Sequence, residues 1–450
     1  MNSRFNKEMK RYFGDLSKLV SFPSVSSDPN YKEEVRKCSD FLHQKFENMG
    51  ATAKIVETSG HPLVIGDISN YKDAVTVAFY GHYDVQPIAS PKEWNTDPFT
   101  LVNRNGRFYG RGASDDKGNI LTAIKAAELA LDEGLDLNFQ FIIEGEEESG
   151  SPNFENGLKK AREILKPDLI IVADGGWLSN KIPSIEYGLR GLLYMHWNLK
   201  TADKNAHSGA VGGPAKNPLS ELFAAVCKCL DVETGEIKIP KINESVREAK
   251  PGEVEHWTDS RFDIEYFKKS HQLKELRFKD KIEVLKSLWV RPTFEVHGCV
   301  GGYMEREGKM TVLPGDGKLH VSMRLVPDQS PEEVFEKVKN YIRGIYPHIE
   351  IESVSQIEPY LTDFNSPRVK AAAESLEETF AMPTARIRSG GSIGAVPIMD
   401  KILDCEDIII MSFGLPEHGV HGPNEYFTER MAKGGIKSYL NFFKSLEKDS

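Results

Sequence analysis

Three short acidic clusters fall between residues 79 and 150, two of them directly after apolar runs, and that placement limits the fold more than any other feature. Gly81-His82-Tyr83-Asp84 follows the run AVTVAFY at 74–80, and Glu144-Gly145-Glu146-Glu147-Glu148-Ser149-Gly150 follows LNFQFII at 137–143. Between them Ser114-Asp115-Asp116-Lys117-Gly118 opens an amphipathic helical tract over 117–134. Short apolar runs bounded by such clusters read as buried strands. In open α/β sheets ligands bind at the strand ends. One imidazole and several carboxylates delivered to that edge point to a metal site.

The remainder of the chain supplies the elements such a sheet needs. Helical spacing is clear over 4–20 and 32–49, where Val35, Phe41, Leu42 and Phe46 share much of one face and Gly50 follows as a stop signal. Short strands fit 52–57 and 62–67, a helix fits 155–165, and a further apolar strand at 169–173 again ends in an acid, Asp174. Strands alternating with helices imply an α/β fold with three layers (α/β/α) around a mostly parallel sheet. After Gly191 the pattern changes. Strands at 192–199, 293–296, 319–326 and 348–354, with helices at 217–230 and 331–346, predict a smaller α+β domain inserted into the first. The charged section 232–288 reads as less regular, with one helical tract at 273–288. From 356 onward the first rhythm resumes, with a helix at 367–380, a strand at 407–411 and a closing helix at 428–446. The expected boundaries are therefore 1–190 with 357–450 for the discontinuous first domain, and 191–356 for the insert. A chain of 450 residues is in any case too long for one ordinary core.

Composition removes several functional classes. A net charge of −10 argues against general binding to nucleic acid or to anionic membranes. No apolar run approaches the roughly 20 residues that span a bilayer, and the first residues, MNSRFNKEMKRYFGDL, lack the apolar core of a signal peptide. Cys38, Cys227, Cys229, Cys299 and Cys405 form an odd, scattered set without structural-zinc spacing. Reduced thiols in a cytoplasmic protein are the expectation.

His82, Asp115, Glu148, Asp174 and His421 together offer two imidazoles and three carboxylates, a suitable complement for a pair of divalent ions. Three carboxylates and one bridging hydroxide would balance the charge of the two ions, and neutrality matters where the surroundings are partly dry. Acidic runs such as 146–148 are usually solvated surface, but a buried strand before this one and Ser-Gly after it argue for a site. Glu146 itself reads as surface.

Four motifs occur in order: GHYDVQP (81–87), GRGASDDKG (110–118), EGEEESGS (144–151) and HGPNE (421–425). Together they resemble the co-catalytic metallopeptidase family of carnosinase-type dipeptidases, aminoacylases, acetylornithine deacetylases and succinyl-diaminopimelate desuccinylases. The resemblance covers essentially the whole chain. The glutamine of DVQP and the charged insert are most similar to the cytosolic dipeptidase and carnosinase branch. It implies that Asp115 bridges both ions, that His82 and Asp174 complete one ligand set, and that Glu148 and His421 complete the other. It also implies that Asp84 fixes the tautomer of His82, that Glu147 is the general base acting on the bridging water, and that the Asp115–Asp116 peptide is cis. His421, rather than His418, matches the family's His-x-x-Asn-Glu. One small departure is that Gly175-Gly176 follows Asp174.

In the insert, Ala206-His207-Ser208-Gly209 resembles the family's lid motif, whose histidine reaches a partner protomer's active site and stabilises the oxyanion. Arg324 would grip a substrate carboxylate, with Ser392 and the backbone N–H groups around Gly391 beside it at a helix N-terminus. The implied protein is a homodimeric hydrolase of dipeptides or short peptides with a free carboxylate. It would use two ions per subunit, with Zn²⁺ favoured and Mn²⁺ or Co²⁺ as alternatives. An N-acyl-amino-acid deacylase shares the same catalytic residues, and a non-catalytic metal-binding relative is the remaining class.

Overall fold

The apolar run that ends at His82 has to be shielded on both faces, and the chain shields it. In the computed structural model, which describes residues 2–304, 307–405 and 407–448, strand Thr76–His82 lies between two parallel neighbours, Asn138–Glu144 and Leu169–Val172. Val77 and Phe79 enter one helical layer and Ala78 and Tyr80 the other, as the two-residue repeat of a strand requires. Helices Lys32–Asn48, Lys117–Glu133, Pro367–Phe380 and Glu429–Lys448 cover the first face, and Phe154–Ala161 and Ala395–Leu403 cover the second.

Among the described residues this sheet has nine strands. Their order is Thr52–Val56, Leu63–Ile68, Asn138–Glu144, Thr76–His82, Leu169–Val172, Ile408–Ile410, Ser184–Leu189 and Tyr360–Leu361, with Ala385–Arg388 also paired to Ser184–Leu189. The centre is parallel and antiparallel pairs extend it on both sides. Register places the chemistry. His82 stands opposite Glu144 and Tyr80 opposite Val172, so the segments that follow all leave the sheet at one edge.

The insert builds its own core. Strands Glu295–Val300, Asp316–Leu325, Gly191–Lys200 and Glu350–Ile357 form an antiparallel sheet in that order. Leu193, Met195, Trp197 and Leu199 alternate inward along one strand and pack with helices Pro218–Cys229 and Pro331–Ile345. Asn217 caps the first of these helices by accepting from the Leu219 and Ser220 N–H groups.

Where the structure departs from the sequence expectation, local signals account for it. The section 232–288 holds helices Pro251–Asp259 and Ile264–Ser270, and a third, Lys281–Trp289, replaces the expected tract at 273–288. Asp280 sets the start of the last helix by accepting from the Glu283 N–H, so residues 273–279 precede the cap and lie outside it. Trp257, Leu285 and Trp289 pack into the same core as the first helical layer, not into that of the insert's sheet. The helix expected to reach 165 ends at Ala161, shortly before Pro167. Strand Ser184–Leu189 was not anticipated, and the helix expected to start beside Gly391 and Ser392 begins later, at Ala395. All five cysteines are free. No helix among the described residues is long and apolar enough to cross a membrane.

Phe79 packs against Phe141, Tyr439 and Phe443 at centroid separations of 5.9, 5.3 and 5.9 Å. Phe79→Ala is expected to cost about 3–5 kcal/mol, read as a lowered midpoint in denaturant unfolding.

Candidate active site

At the carboxyl edge of the parallel strands, side chains from four loops converge. The imidazole of His82, fully buried, lies with its Nε2 3.1 Å from Asp115 Oδ1. The other oxygen of Asp115 is 2.9 Å from Nε2 of His421, which in turn lies 3.2 Å from Glu148 Oε2. Asp115 thus stands between two groups of donors. One comprises His82, Glu147 and Asp174, the other Asp115, Glu148 and His421, and within each group the ligand atoms lie within 4.8 Å of one another. All five residues expected as ligands are brought together here, along with Glu147. The Asp115–Asp116 peptide is cis. His421 adopts a left-handed backbone, φ +63°.

Hydrogen bonds to backbone groups hold this arrangement. Asp84 Oδ1 and Oδ2 accept from the N–H groups of Glu147 and Glu148 at 3.2 and 3.1 Å. The Nδ1 of His82 faces the same residue, 3.1 Å from the Asp84 carbonyl and 3.4 Å from its carboxylate. Asp84 therefore orients the imidazole and the Glu147–Glu148 turn at once. Glu425 does the equivalent for the Asp115 loop: its buried carboxylate accepts from the N–H groups of Gly112, Ser114 and Asp115 and pairs with Arg111 at 2.8 Å. Gln86 donates to Glu148 Oε2 at 2.9 Å through its side chain, and its N–H reaches Oε1 at 3.2 Å. Asp116 accepts from the His82 N–H.

The electrostatics call for positive charge. Burial pushes Asp174 up to about 7, with Asp115 adding to the effect. Burial likewise raises Glu147 well above its ordinary value, against the opposing pull of His82 and with Asp174, Glu144 and Glu148 adding to the rise. Hydrogen bonds to Asp115 and Glu148 raise His421 to about 10. The shifts share one cause, an excess of carboxylates in a dry space. Two divalent cations with N/O ligands meet that excess directly, so the residues present fit such ions.

His418 lies apart from this group. It is fully buried, with Nδ1 3.0 Å from the Ser114 hydroxyl and its ring against Tyr426 and Phe427, and burial pushes it down to about 3.

A second cluster lies where the insert meets the sheet. Arg324 donates to the Ser392 hydroxyl at 2.7 Å, and that hydroxyl donates to the Arg190 carbonyl. Arg190 donates through Nε to Gly390 O at 2.9 Å and through its N–H to Gly391 O at 3.0 Å. Burial and the nearby Arg324 push the Arg190 guanidinium down to about 10. Among the described residues neither arginine forms an ion pair. The Gly391 N–H is already taken by Ser389 Oγ, so it is less free for a ligand than the sequence implied. Just beyond the loop, Gly394 lies near the 144–151 segment: a Cβ there would stand 3.9 Å from the Gly150 carbonyl oxygen. His207 is exposed in the insert, its Nδ1 accepting from the Gly209 N–H, and it is not part of either donor group.

Glu425, Gln86 and Arg190 were passed over in the sequence as carriers of a function. The first two lie inside the motifs GHYDVQP and HGPNE, and that placement was the available signal. Nothing in the sequence marked Arg190.

A set of two imidazoles and four carboxylates gathered at the edge of a parallel sheet defines a hydrolase-type metal centre. The chain belongs to the Peptidase family M20/M25/M40, which it matches over residues 78–445. It is 29% identical to the Beta-Ala-His dipeptidase of Mus musculus over 450 residues, 95% of this chain and 91% of the relative. It is 29% identical to the Cys-Gly metallodipeptidase of Schizosaccharomyces pombe over 462 residues, 98% and 96% of the two chains. The crystal structure of an M20 family metallo-carboxypeptidase from Sulfolobus solfataricus superposes with a TM-score of 0.89 at 30% identity, covering 97% of this chain and 99% of that one.

His421→Ala is expected to lower bound metal by at least one ion per subunit, whereas His418→Ala keeps its metal and loses thermal stability. Elemental analysis of the purified proteins, with melting curves, checks both.

Proposed function

We propose that this protein is a cytoplasmic metallodipeptidase that hydrolyses the amide bond next to a free carboxylate. The observation that carries this reading is the pairing of two donor groups joined through Asp115 with an uncompensated arginine pair held against the Ser389–Ser392 segment. The dipeptidase relatives support the substrate class. In this reading His82, Asp115 and Asp174 hold one divalent ion and Asp115, Glu148 and His421 the other, with Zn²⁺ favoured over Mn²⁺ or Co²⁺. Bound ions would supply Lewis acidity toward the scissile carbonyl and the attacking water.

The chain's own residues do the rest. Arg324 and Ser392 receive the substrate carboxylate and set its distance from the donor groups. Glu147 takes a proton from the attacking water and delivers it to the leaving amine. Positive charge from bound ions would lower its proton affinity, so that the carboxylate stands ionised to take the proton in the first step. Asp84 keeps His82 in one tautomer and holds the Glu147 backbone in place. The insert, 191–356, acts as a lid on the discontinuous domain 1–190 and 357–450. Its His207 serves the active site of a partner copy in a homodimer, which explains why it stands outside the donor groups of its own chain.

A carboxypeptidase acting on longer peptides is the second reading, favoured by the Sulfolobus structure. A panel of free dipeptides, N-blocked dipeptides and tripeptides separates the two: a dipeptidase loses at least about tenfold in kcat/KM when the amino terminus is blocked. If blocked substrates are preferred, the carboxypeptidase reading replaces this one.

Glu147→Gln should keep its metal and lose about 10²–10⁴-fold in kcat, measured on dipeptide with parallel elemental analysis. Arg324→Ala should raise KM by roughly 10- to 100-fold, the worth of a charge-assisted hydrogen bond, while kcat changes little. Mixing inactive Glu147→Gln and His207→Ala proteins and allowing subunit exchange should restore activity at about a quarter of sites, as random pairing into two-fold dimers dictates. No recovery with exchange demonstrated would rule out action in trans.

A further inference from the structure

The turn that carries Glu147 and Glu148 is closed at its base by a carboxylate that the reaction does not use. Glu144 is the last residue of strand Asn138–Glu144, 1% exposed, and stands opposite His82 in register. Its Oε1 accepts from the Tyr80 hydroxyl at 2.5 Å and from the Ser151 hydroxyl at 3.0 Å. Tyr80 lies on the neighbouring strand, two residues before His82, and Ser151 follows the Gly150 that ends the Glu147–Ser149 turn. The chain doubles back through Gly150 at φ +84° and Ser151 at φ +53°. A residue with a side chain enters that left-handed region at a cost, so the surroundings must hold Ser151 there. Its hydroxyl on Glu144 and its N–H on the Glu146 carbonyl, at 2.8 Å, do so. Asp84 grips the same turn from another side, through the Glu147 and Glu148 N–H groups.

We propose that Glu144 is a positioning residue that ties the far end of the 145–151 turn to the sheet and so fixes Glu147 and Glu148 relative to His82. The proposal rests on the reading of Glu147 as the base and Glu148 as a metal ligand. Glu144 acts on both through Ser151. Its Oε2 is buried without a hydrogen-bond partner, so both contacts run through Oε1 alone. An acceptor oxygen is what those contacts require, and a carboxamide of the same shape keeps it. Burial raises the Glu144 carboxyl to about 8, which leaves it largely protonated near neutral pH, and a neutral carboxamide matches that state.

The test compares Glu144→Gln, Glu144→Ala, Ser151→Ala and the Glu144→Ala/Ser151→Ala double variant. Each is measured for kcat and KM on one dipeptide with Zn²⁺ in excess, for Zn²⁺ retained against a competing chelator, and for melting temperature. Glu144→Gln should stay within about threefold of the parent in kcat and in metal affinity. Glu144→Ala should lose at least about tenfold in kcat and in the affinity of at least one ion, while KM stays within about threefold. Ser151→Ala should lose at least about threefold in kcat, and the double variant should resemble Glu144→Ala, because the two residues act through one contact. A Glu144→Ala protein within about twofold of the parent in kcat and metal affinity overturns the proposal, and so does full additivity in the double variant. A Glu144→Gln protein that loses as much as Glu144→Ala overturns it too. If Glu144→Ala does not fold, a kcat for Ser151→Ala within about twofold of the parent overturns it instead. Unchanged kcat in Glu147→Gln would sink the reading of the base itself, and the metal affinity of Glu144→Ala keeps the two failures apart.

Discussion

The structure depends on how one sheet edge holds carboxylates that repel one another. Asp115, Glu147, Glu148 and Asp174 meet there with little water between them, and burial alone pushes Asp174 and Glu147 toward the protonated form. Such a group persists in a folded chain only when each oxygen is met by a donor or a cation. Two further carboxylates supply the framework. Asp84 binds the backbone of Glu147 and Glu148, and Glu425 binds the backbone of Gly112, Ser114 and Asp115. Acids thus position acids: the framework pair is satisfied by backbone N–H groups and Arg111, and it holds the segments that carry Asp115, Glu147 and Glu148.

This division explains what could be read from the sequence. The strands at 76–82, 138–144 and 169–172 are apolar on both faces, so their type and their shared edge followed from composition alone. His82, Asp115, Glu148 and Asp174 follow buried strands or open a helix, and the motifs ordered them. Asp84 was legible as the partner of His82, but its larger contribution, two backbone bonds across 63 and 64 residues, depends on the return of the 144–150 segment to the same edge. Glu425 binds residues 310 to 313 positions away, and no periodicity reports contacts of that span.

The insert was less legible for a different reason. Its sheet was recognisable because Gly191–Lys200 alternates cleanly, one face packed and one open. The tract 251–289 was not, because its helices are short, charged and set by caps at Asp263 and Asp280. Their apolar residues also face the larger domain. Glu253 shows the consequence: from helix Pro251–Asp259 it pairs with Arg388 at 2.7 Å and receives the Tyr187 hydroxyl at 2.6 Å. A section numbered within the insert thereby braces the strand that leads into the Ser389–Ser392 loop.

Rigid bracing of that loop has a mechanistic reason. The end that gathers Asp115, Glu147, Glu148 and Asp174 is rich in negative charge and the arginines at the other end have no ion-pair partner among the described residues, so each end would move toward the other if free to do so. Collapse would close the space a substrate must enter. Arg190 binds three successive residues of the loop, Gly390, Gly391 and Ser392, and Arg388 just before it is fixed by Glu253. Arg190 and Arg388 belong to the larger domain, whereas Arg324 arrives on the insert's sheet. Movement of the insert's sheet relative to this loop would carry the Arg324 guanidinium with it. The Arg324–Ser392 bond joins the insert's sheet to this loop, and a substrate carboxylate placed beside it would strengthen that joint.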